Sequence, residues 1–200
     1  MDITGYALVT GGASGIGRAC CLAFAKDGAR GILVADLNLE GAQQTAAEAK
    51  DVATNPKFRA EAIHANVSNE ESVKAAIDHA IKSFGRIDYG VHSAGISGGT
   101  FDPIAEASFV DFKHLIDVNV NGTFLFNSLL SAAMKVQEPR QVGDPARGTT
   151  RGSIVNLASV SSFMAVPNMV QYTTCKHAII GLTKTAGEHL ETLHFGLGSH

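Results

Sequence analysis

Five short apolar runs, each followed by a stretch with the chemistry of a helix, set the tightest limit on what this 200-residue chain can become. The runs are GYALVT (5–10), GILVAD (31–36), FRAEAIHA (58–65), the strand inside RIDYGVHSAG (86–95) and GSIVNLAS (152–159). The helical stretches are 15–28, closed by Gly28, 38–52, opened by Asn38, 68–85, 108–134 and 170–192. Ser68 followed by Glu71 predicts a capping box at the start of the third. A helix between consecutive strands returns the chain to the same end of the sheet, so the strands run parallel and helices cover both faces. The pattern predicts an α/β fold: a doubly wound parallel sheet in three layers, one domain over residues 1–200. VQEPRQVGDPARGTTRG (136–152), rich in Pro, Gly and charge, reads as a solvated loop before the fifth strand.

Composition narrows the partners. A hydrophobic content of 45% supplies one sizeable core. A net charge of −3 without a basic tract argues against nucleic acid. Three cysteines, two of them the neighbours Cys20 and Cys21 and the third Cys175, form neither a disulfide framework nor a C-x-x-C zinc site. With eight scattered histidines, the expectation is no metal and a reducing, cytoplasmic setting. The chain shows no signal-peptide pattern and no apolar run long enough to span a bilayer.

The bend ALVTGGASGIGRA (7–19) joins the first strand to the first helix and has the chemistry of a phosphate turn. A P-loop would need Lys and Ser/Thr after its last glycine, but Arg18 and Ala19 stand there. A dinucleotide turn needs an acidic residue at the end of the second strand to bind a ribose hydroxyl, and Asp36 lies nineteen residues after Gly17. Pyrophosphate would then sit on backbone N–H groups at the helix N-terminus. The Asp36 carboxylate accepts from a free 2′-hydroxyl and repels a 2′-phosphate, and neighbours Leu37 and Asn38 bring no cation. The cofactor expected is NAD, with NADP disfavoured.

A second cluster lies late in the chain. Tyr172 and Lys176 are four residues apart, one turn along one helix face. An ammonium one turn from a phenol favours the phenolate and suits it to acid–base work. Ser159 closes the fifth strand, at the edge where such sheets bind ligands. Within IDVNVNGTF (116–124), Asn119, Asn121 and Gly122 sit inside a helix that they do not favour, a conflict typical of functional segments.

With these residues in place, the chain resembles the short-chain dehydrogenase/reductase family from about residue 5 to about residue 187. TGGASGIG (10–17) is similar to its T-G-x-x-x-G-x-G cofactor turn, and Ser159, Tyr172 and Lys176 to its S…Y-x-x-x-K signature. The resemblance implies a Rossmann-like fold and hydride transfer between a nicotinamide and a small ketone or secondary alcohol. It implies Tyr172 as general acid/base, Ser159 on the substrate oxygen, Lys176 on the nicotinamide ribose, and Asn119 holding a water in the proton relay. Thr10, Gly11, Ser14, Gly15, Ile16, Gly17, Asp36, Asn66, Val67, Ser93, Ala94 and Gly95, with Tyr172 and Lys176, would bind the cofactor. The family's N-N-A-G is here His92-Ser93-Ala94-Gly95, and Asn66 replaces the Asp that commonly faces the adenine amino group, its amide oxygen able to accept the same bond. The long helix is apolar on most faces, with Phe112, Leu115, Ile116, Phe124, Phe126 and Leu129, and the resemblance implies its burial in a homodimer or homotetramer. The 137–140 loop is similar to that of members from filamentous fungi. GEHLETLHFGLGSH (187–200) lacks the look of the strand that follows the catalytic helix in the family. The expectation is a chain truncated at its C-terminal end, its last strand missing and its fifth strand a bare edge. A truncated, non-catalytic relative that binds nucleotide or dimerises is the alternative reading.

Overall fold

The computed structural model describes residues 3–98, 101–141, 148–188 and 193–198. Strands β1 (Tyr6–Thr10), β2 (Gly31–Asp36), β3 (Arg59–His64) and β4 (Tyr89–His92) alternate with helices α1 (Gly15–Lys26), α2 (Leu39–Val52) and α3 (Glu70–Phe84). Then come α4 (Phe109–Leu115), a π-helical turn (Ile116–Asn121), α5 (Gly122–Lys135), the short strands β5 (Arg140–Gln141) and β6 (Thr149–Thr150), β7 (Gly152–Leu157), α6 (Val170–Glu188) and β8 (Leu193–Gly198). The main sheet has the order β3-β2-β1-β4-β7-β8 and is parallel throughout. This is the doubly wound, Rossmann-like arrangement. Strand order reverses between β1 and β4, so the carboxyl ends of those two strands open a crevice.

Burial follows the two faces of the strands. Leu8, Leu33 and Ile154 pack with Phe126 and Leu130 of α5 and with α3, while Val9, Ile32 and Val34 pack with Cys21 of α1 and Ala46 of α2. Alternate residues of one strand thus serve two cores, which is why the strands read as unbroken apolar runs.

Several expectations need correction. The fifth strand of the expected pattern, β7, is not a bare edge: β8 runs parallel to it, from Gly152 opposite Leu193 to Leu157 opposite Gly198. LHFGLG holds two glycines and a histidine, a composition depleted in strands, and ladder bonds through the backbone override it. The capping box is replaced by a cap one residue later, where the Ser72 N–H donates to Asn69 Oδ1 at 2.8 Å. Asn69 also turns the chain into α3, leaving Ser68 to bond Asn66. The last helix is described over Val170–Glu188; the rest of its expected span, 189–192, lies outside the described residues. The long helix is not covered on all sides within one chain, since Phe109, Val110 and Phe124 remain 70%, 71% and 58% exposed.

The 136–152 stretch is more than a solvated loop. Its ends pair as β5 and β6. Gln137 accepts from Ile87 N–H at 2.8 Å and donates to the Ile87 and Arg151 carbonyls. Arg140 reaches the buried Asp88 carboxylate at 2.7 Å, which also pairs with Arg86 Nε at 2.7 Å and accepts from Tyr6 N–H at 2.9 Å. The Arg140 charge, which reads as solvating in the sequence, is spent on one buried anion at the base of the sheet.

Candidate active site

The glycine turn is shaped by close approach. Gly11 has φ +67°, and a Cβ there would lie 2.7 Å from Ala94 N. A Cβ on Gly17 would collide with the Gly11 carbonyl oxygen, so the start of α1 can fold onto the turn only as glycine. Thr10 fixes the other side: its Oγ1 lies 2.9 Å from His92 Nδ1 and accepts from Ala94 N–H at 3.4 Å. Thr10 and Gly17 therefore build the turn from behind.

The turn faces a cleft of about 570 Å³ at the carboxyl ends of the central strands. Gly11, Ser14, Gly15 and Ile16 line its floor, Asp36, Asn66 and Val67 one end, and Ser93, Ala94 and Gly95 the middle. Tyr172 and Lys176 line the opposite end, brought there by α6 as their spacing predicts. Asp36 is aimed by its own backbone neighbours: Ala13 N–H donates to Oδ2 at 3.0 Å and Asn38 N–H to Oδ1 at 2.8 Å. No cation disturbs it from α1, because Arg18 is paired with Glu48. Asn66 lines the cleft near Asp36, and its amide oxygen already accepts from Ser68 N–H at 3.1 Å and Ser68 O–H at 2.7 Å. An adenine amino group would have to compete with Ser68 for that oxygen.

At the other end, Lys176 Nζ lies 5.4 Å from the centroid of the Tyr172 ring and donates to the Leu157 carbonyl at 2.9 Å. Burial pushes the Lys176 ammonium below its usual range, an effect opposed by the Cys175 sulfur beside it. Burial pushes the Cys175 thiol up, against its hydrogen bond to Asn119 and the Lys176 charge.

Two predicted residues stand off the cleft wall. Asn119 is 1% exposed in the π turn, and its amide makes a two-way bridge to Ile96: Oδ1 accepts from the N–H at 2.9 Å and Nδ2 donates to the carbonyl at 2.8 Å. It thereby holds the wall segment that follows β4. Ser159 caps the short turn Val160–Ser162, its Oγ accepting from Ser161 N–H at 3.1 Å and its N–H donating to Ser162 Oγ at 3.2 Å. Among the described residues no group of three or more His, Cys, Asp or Glu could hold a metal, and no helix is long and apolar enough to cross a membrane.

The family model described as short chain dehydrogenase matches residues 5–194. The chain belongs to the short-chain dehydrogenase family. Within it, the chain is 55% identical over 188 residues to short-chain dehydrogenase srdC of Neurospora crassa, covering 93% of this chain and 69% of that protein. It is 48% identical over 188 residues to short-chain dehydrogenase fogB of Aspergillus ruber, with the same coverage of 93% and 69%. Among solved structures, NAD+-bound xylitol dehydrogenase superposes with a TM-score of 0.81 at 30% identity, covering 97% of this chain and 68% of that one.

Other wall residues of this dehydrogenase carry no motif that marks them in the sequence. Ser97 and His114 line the cleft beside Tyr172's end, and Asp111 lines an adjoining pocket of about 500 Å³ with them. His114 and Asp111 lie three apart on α4, so they share a helix face. The only sequence signal for them is a polar pair on a helix that is otherwise mostly apolar.

Proposed function

We propose that this dehydrogenase binds NAD(H) in the cleft and interconverts a carbonyl and a secondary alcohol of a small organic substrate. The observation that carries the reading is the single cleft with Asp36 at one end and the Tyr172–Lys176 pair at the other, floored by the glycine turn. The fit to a dinucleotide rests on the turn: glycine at 11 and 17 lets its backbone pack tightly on itself and on Ala94, and at Gly15 a Cβ would meet nothing, so the cleft side of the turn is open backbone. Gly11, Ser14, Gly15 and Ile16 would hold the pyrophosphate on a turn that Thr10 and Gly17 shape from behind, Asp36 the adenosine ribose, and Asn66 and Val67 the adenine. Ser93, Ala94, Gly95, Tyr172 and Lys176 would hold the nicotinamide half. The bound nicotinamide supplies the hydride. Tyr172 gives or takes the proton at its phenolic oxygen, and Lys176 holds a positive charge beside that ring. Ser159 turns from its cap to bond the substrate oxygen. Asn119 keeps the Ile96 wall in place and its π turn holds the water that returns the proton to solvent.

Asp36 selects NAD over NADP: even at the dielectric constant of bulk water, two unit charges about 4 Å apart repel by ~1 kcal/mol, a factor of about five in affinity. Phe109, Val110 and Phe124 supply an exposed apolar face that a homodimer or homotetramer would cover. Three free thiols suit a cytoplasmic, reducing setting.

The test is fluorescence titration with NADH and NADPH, followed by NADH oxidation with a panel of ketones. NADH should bind at least about fivefold tighter, Asp36→Ala should narrow the gap, and Tyr172→Phe should abolish turnover while binding stays. Tighter NADPH binding would overturn the cofactor assignment, and an active Tyr172→Phe the acid–base assignment.

A further inference from the structure

The three elements that carry the proposed reacting groups meet in one buried knot of amides. Asn127 Nδ2 on α5 donates to Asn156 Oδ1 on β7 at 2.8 Å, and Asn156 Nδ2 donates back to Asn127 Oδ1 at 3.1 Å. Asn156 Nδ2 also donates to Thr183 Oγ1 on α6 at 3.0 Å. Toward the π turn, Asn127 Nδ2 donates to the Thr123 carbonyl at 2.7 Å and Thr123 Oγ1 to the Asn119 carbonyl at 2.5 Å. Asn156, Asn127, Thr123 and Thr183 are 0%, 4%, 1% and 4% exposed.

Each arm of the knot ends near a group assigned above. Asn156 precedes Ser159 by three residues, and its neighbour Leu157 gives the carbonyl that receives Lys176. Thr183 follows Lys176 by seven residues, two turns along the same face of α6. Thr123 bonds the carbonyl of Asn119 itself. Stability alone does not call for amides here, because a matched pair of apolar side chains in place of two bonded polar ones is close to neutral. Directional bonds do what apolar packing cannot: they fix rotation. A π turn that relaxed to α-helix would shift its register by one residue, a rotation of roughly 100° about the helix axis. The Thr123 side chain grips a carbonyl inside that turn, that of Asn119, and the Asn127 side chain grips one just after it, that of Thr123.

We propose that Asn127 and Asn156 are positioning residues that lock the π turn carrying Asn119 against the helix carrying Tyr172 and Lys176. The inference rests on the roles given to those three residues above.

The test compares Asn127→Leu, Asn156→Leu and the double variant. Each single variant strands one buried amide and lowers Tm; the double strands none and recovers most of the loss. The double variant is expected to bind NADH within about twofold of the parent and to keep its ketone KM, with kcat down about 10- to 100-fold. A double variant with parental kcat, or one whose NADH binding falls in step with kcat, overturns the proposal. Thr183→Val removes only the α6 arm and serves if the double variant does not fold; the same split upholds the proposal and parental kcat overturns it. Should the parent and Tyr172→Phe both lack turnover, the functional reading has failed separately. Amide hydrogen exchange then decides: faster exchange at 116–121 at parental Tm upholds the positioning role, and parental protection overturns it.

Discussion

Acid should unfold this protein earlier than its carboxylates alone require, through His92. The imidazole is 3% exposed, bonded at Nδ1 to Thr10, tilted against the Phe126 ring with centroids 4.9 Å apart, and has no partner at Nε2. Burial, and then the Lys176 charge, lower its pKa from the ordinary 6.5 to about 3. The folded chain therefore stays unprotonated where the unfolded chain takes a proton. Stability is fully present above pH 6.5 and is lost as pH falls from 6.5 toward 3, at up to about 1.4 kcal/mol per pH unit. Integrated from pH 7 to pH 5, that is about 2 kcal/mol, against a total stability of about 5–15 kcal/mol. The assay is urea unfolding at both pH values for the parent and for His92→Asn. The variant leaves a smaller side chain, a cost that is equal at both pH values and cancels. Proton uptake elsewhere in the chain is common to both proteins and cancels in the difference. The parent should lose about 2 kcal/mol more than the variant. Equal losses would refute the reasoning, because they would mean that His92 accepts a proton in the folded state as readily as in the unfolded one.

Two further perturbations test the turn and the base of the sheet. Gly17→Ala drives a methyl group into the Gly11 carbonyl; overpacking of about 1–3 kcal/mol should weaken NADH binding about tenfold or more by fluorescence titration, with the sheet intact. Asp88→Ala leaves Arg86 and Arg140 without their shared anion and Tyr6 N–H without its acceptor. It should cost about 3–5 kcal/mol in urea unfolding, and adding Arg140→Met should recover part of that, as removal of both partners of a pair is cheaper than removal of one.

The fold was legible because its strands are buried on both faces. ILVA in β2 and ALV in β1 serve two cores, and such runs alternating with helical stretches point to a parallel sheet covered on both faces. β8 was not legible, since Leu193–Gly198 is a strand by its ladder to β7 and not by composition. The 136–152 stretch misled for a related reason: local charge density suggests water, while Arg140 and Gln137 find partners some fifty residues upstream, at Asp88 and Ile87. In the site, helical spacing put Tyr172 and Lys176 on one face of α6, and both line the cleft; the roles expected of them came from Ser159 and the family resemblance, not from spacing. Asn119 showed itself only as a misfit in a helix, and the π turn gives that misfit its physical form. What spacing could not give is the state of each polar atom, such as the Asn66 oxygen committed to Ser68 or the Ser159 hydroxyl committed to a cap.

The carboxyl ends of the central strands explain why His92 is tolerated at all. The apolar runs of β1, β4 and β7 each give way to a polar residue near the same level: Thr10 stands opposite His92, and His92 opposite Asn156. Side chains at matched positions of a parallel ladder share a face, so the three form one buried row behind the cleft. Thr10 ties that row to the glycine turn through Ala94, and Asn156 ties it to α5 and α6. An apolar residue at 92 would leave the Thr10 hydroxyl free to turn from Ala94, loosening the place where Gly11 and the β4 loop meet. The imidazole holds that hydroxyl with one nitrogen and leaves the other without a partner in the core. The acid sensitivity expected of the whole chain and the order of its cofactor turn are thus two consequences of one buried ring.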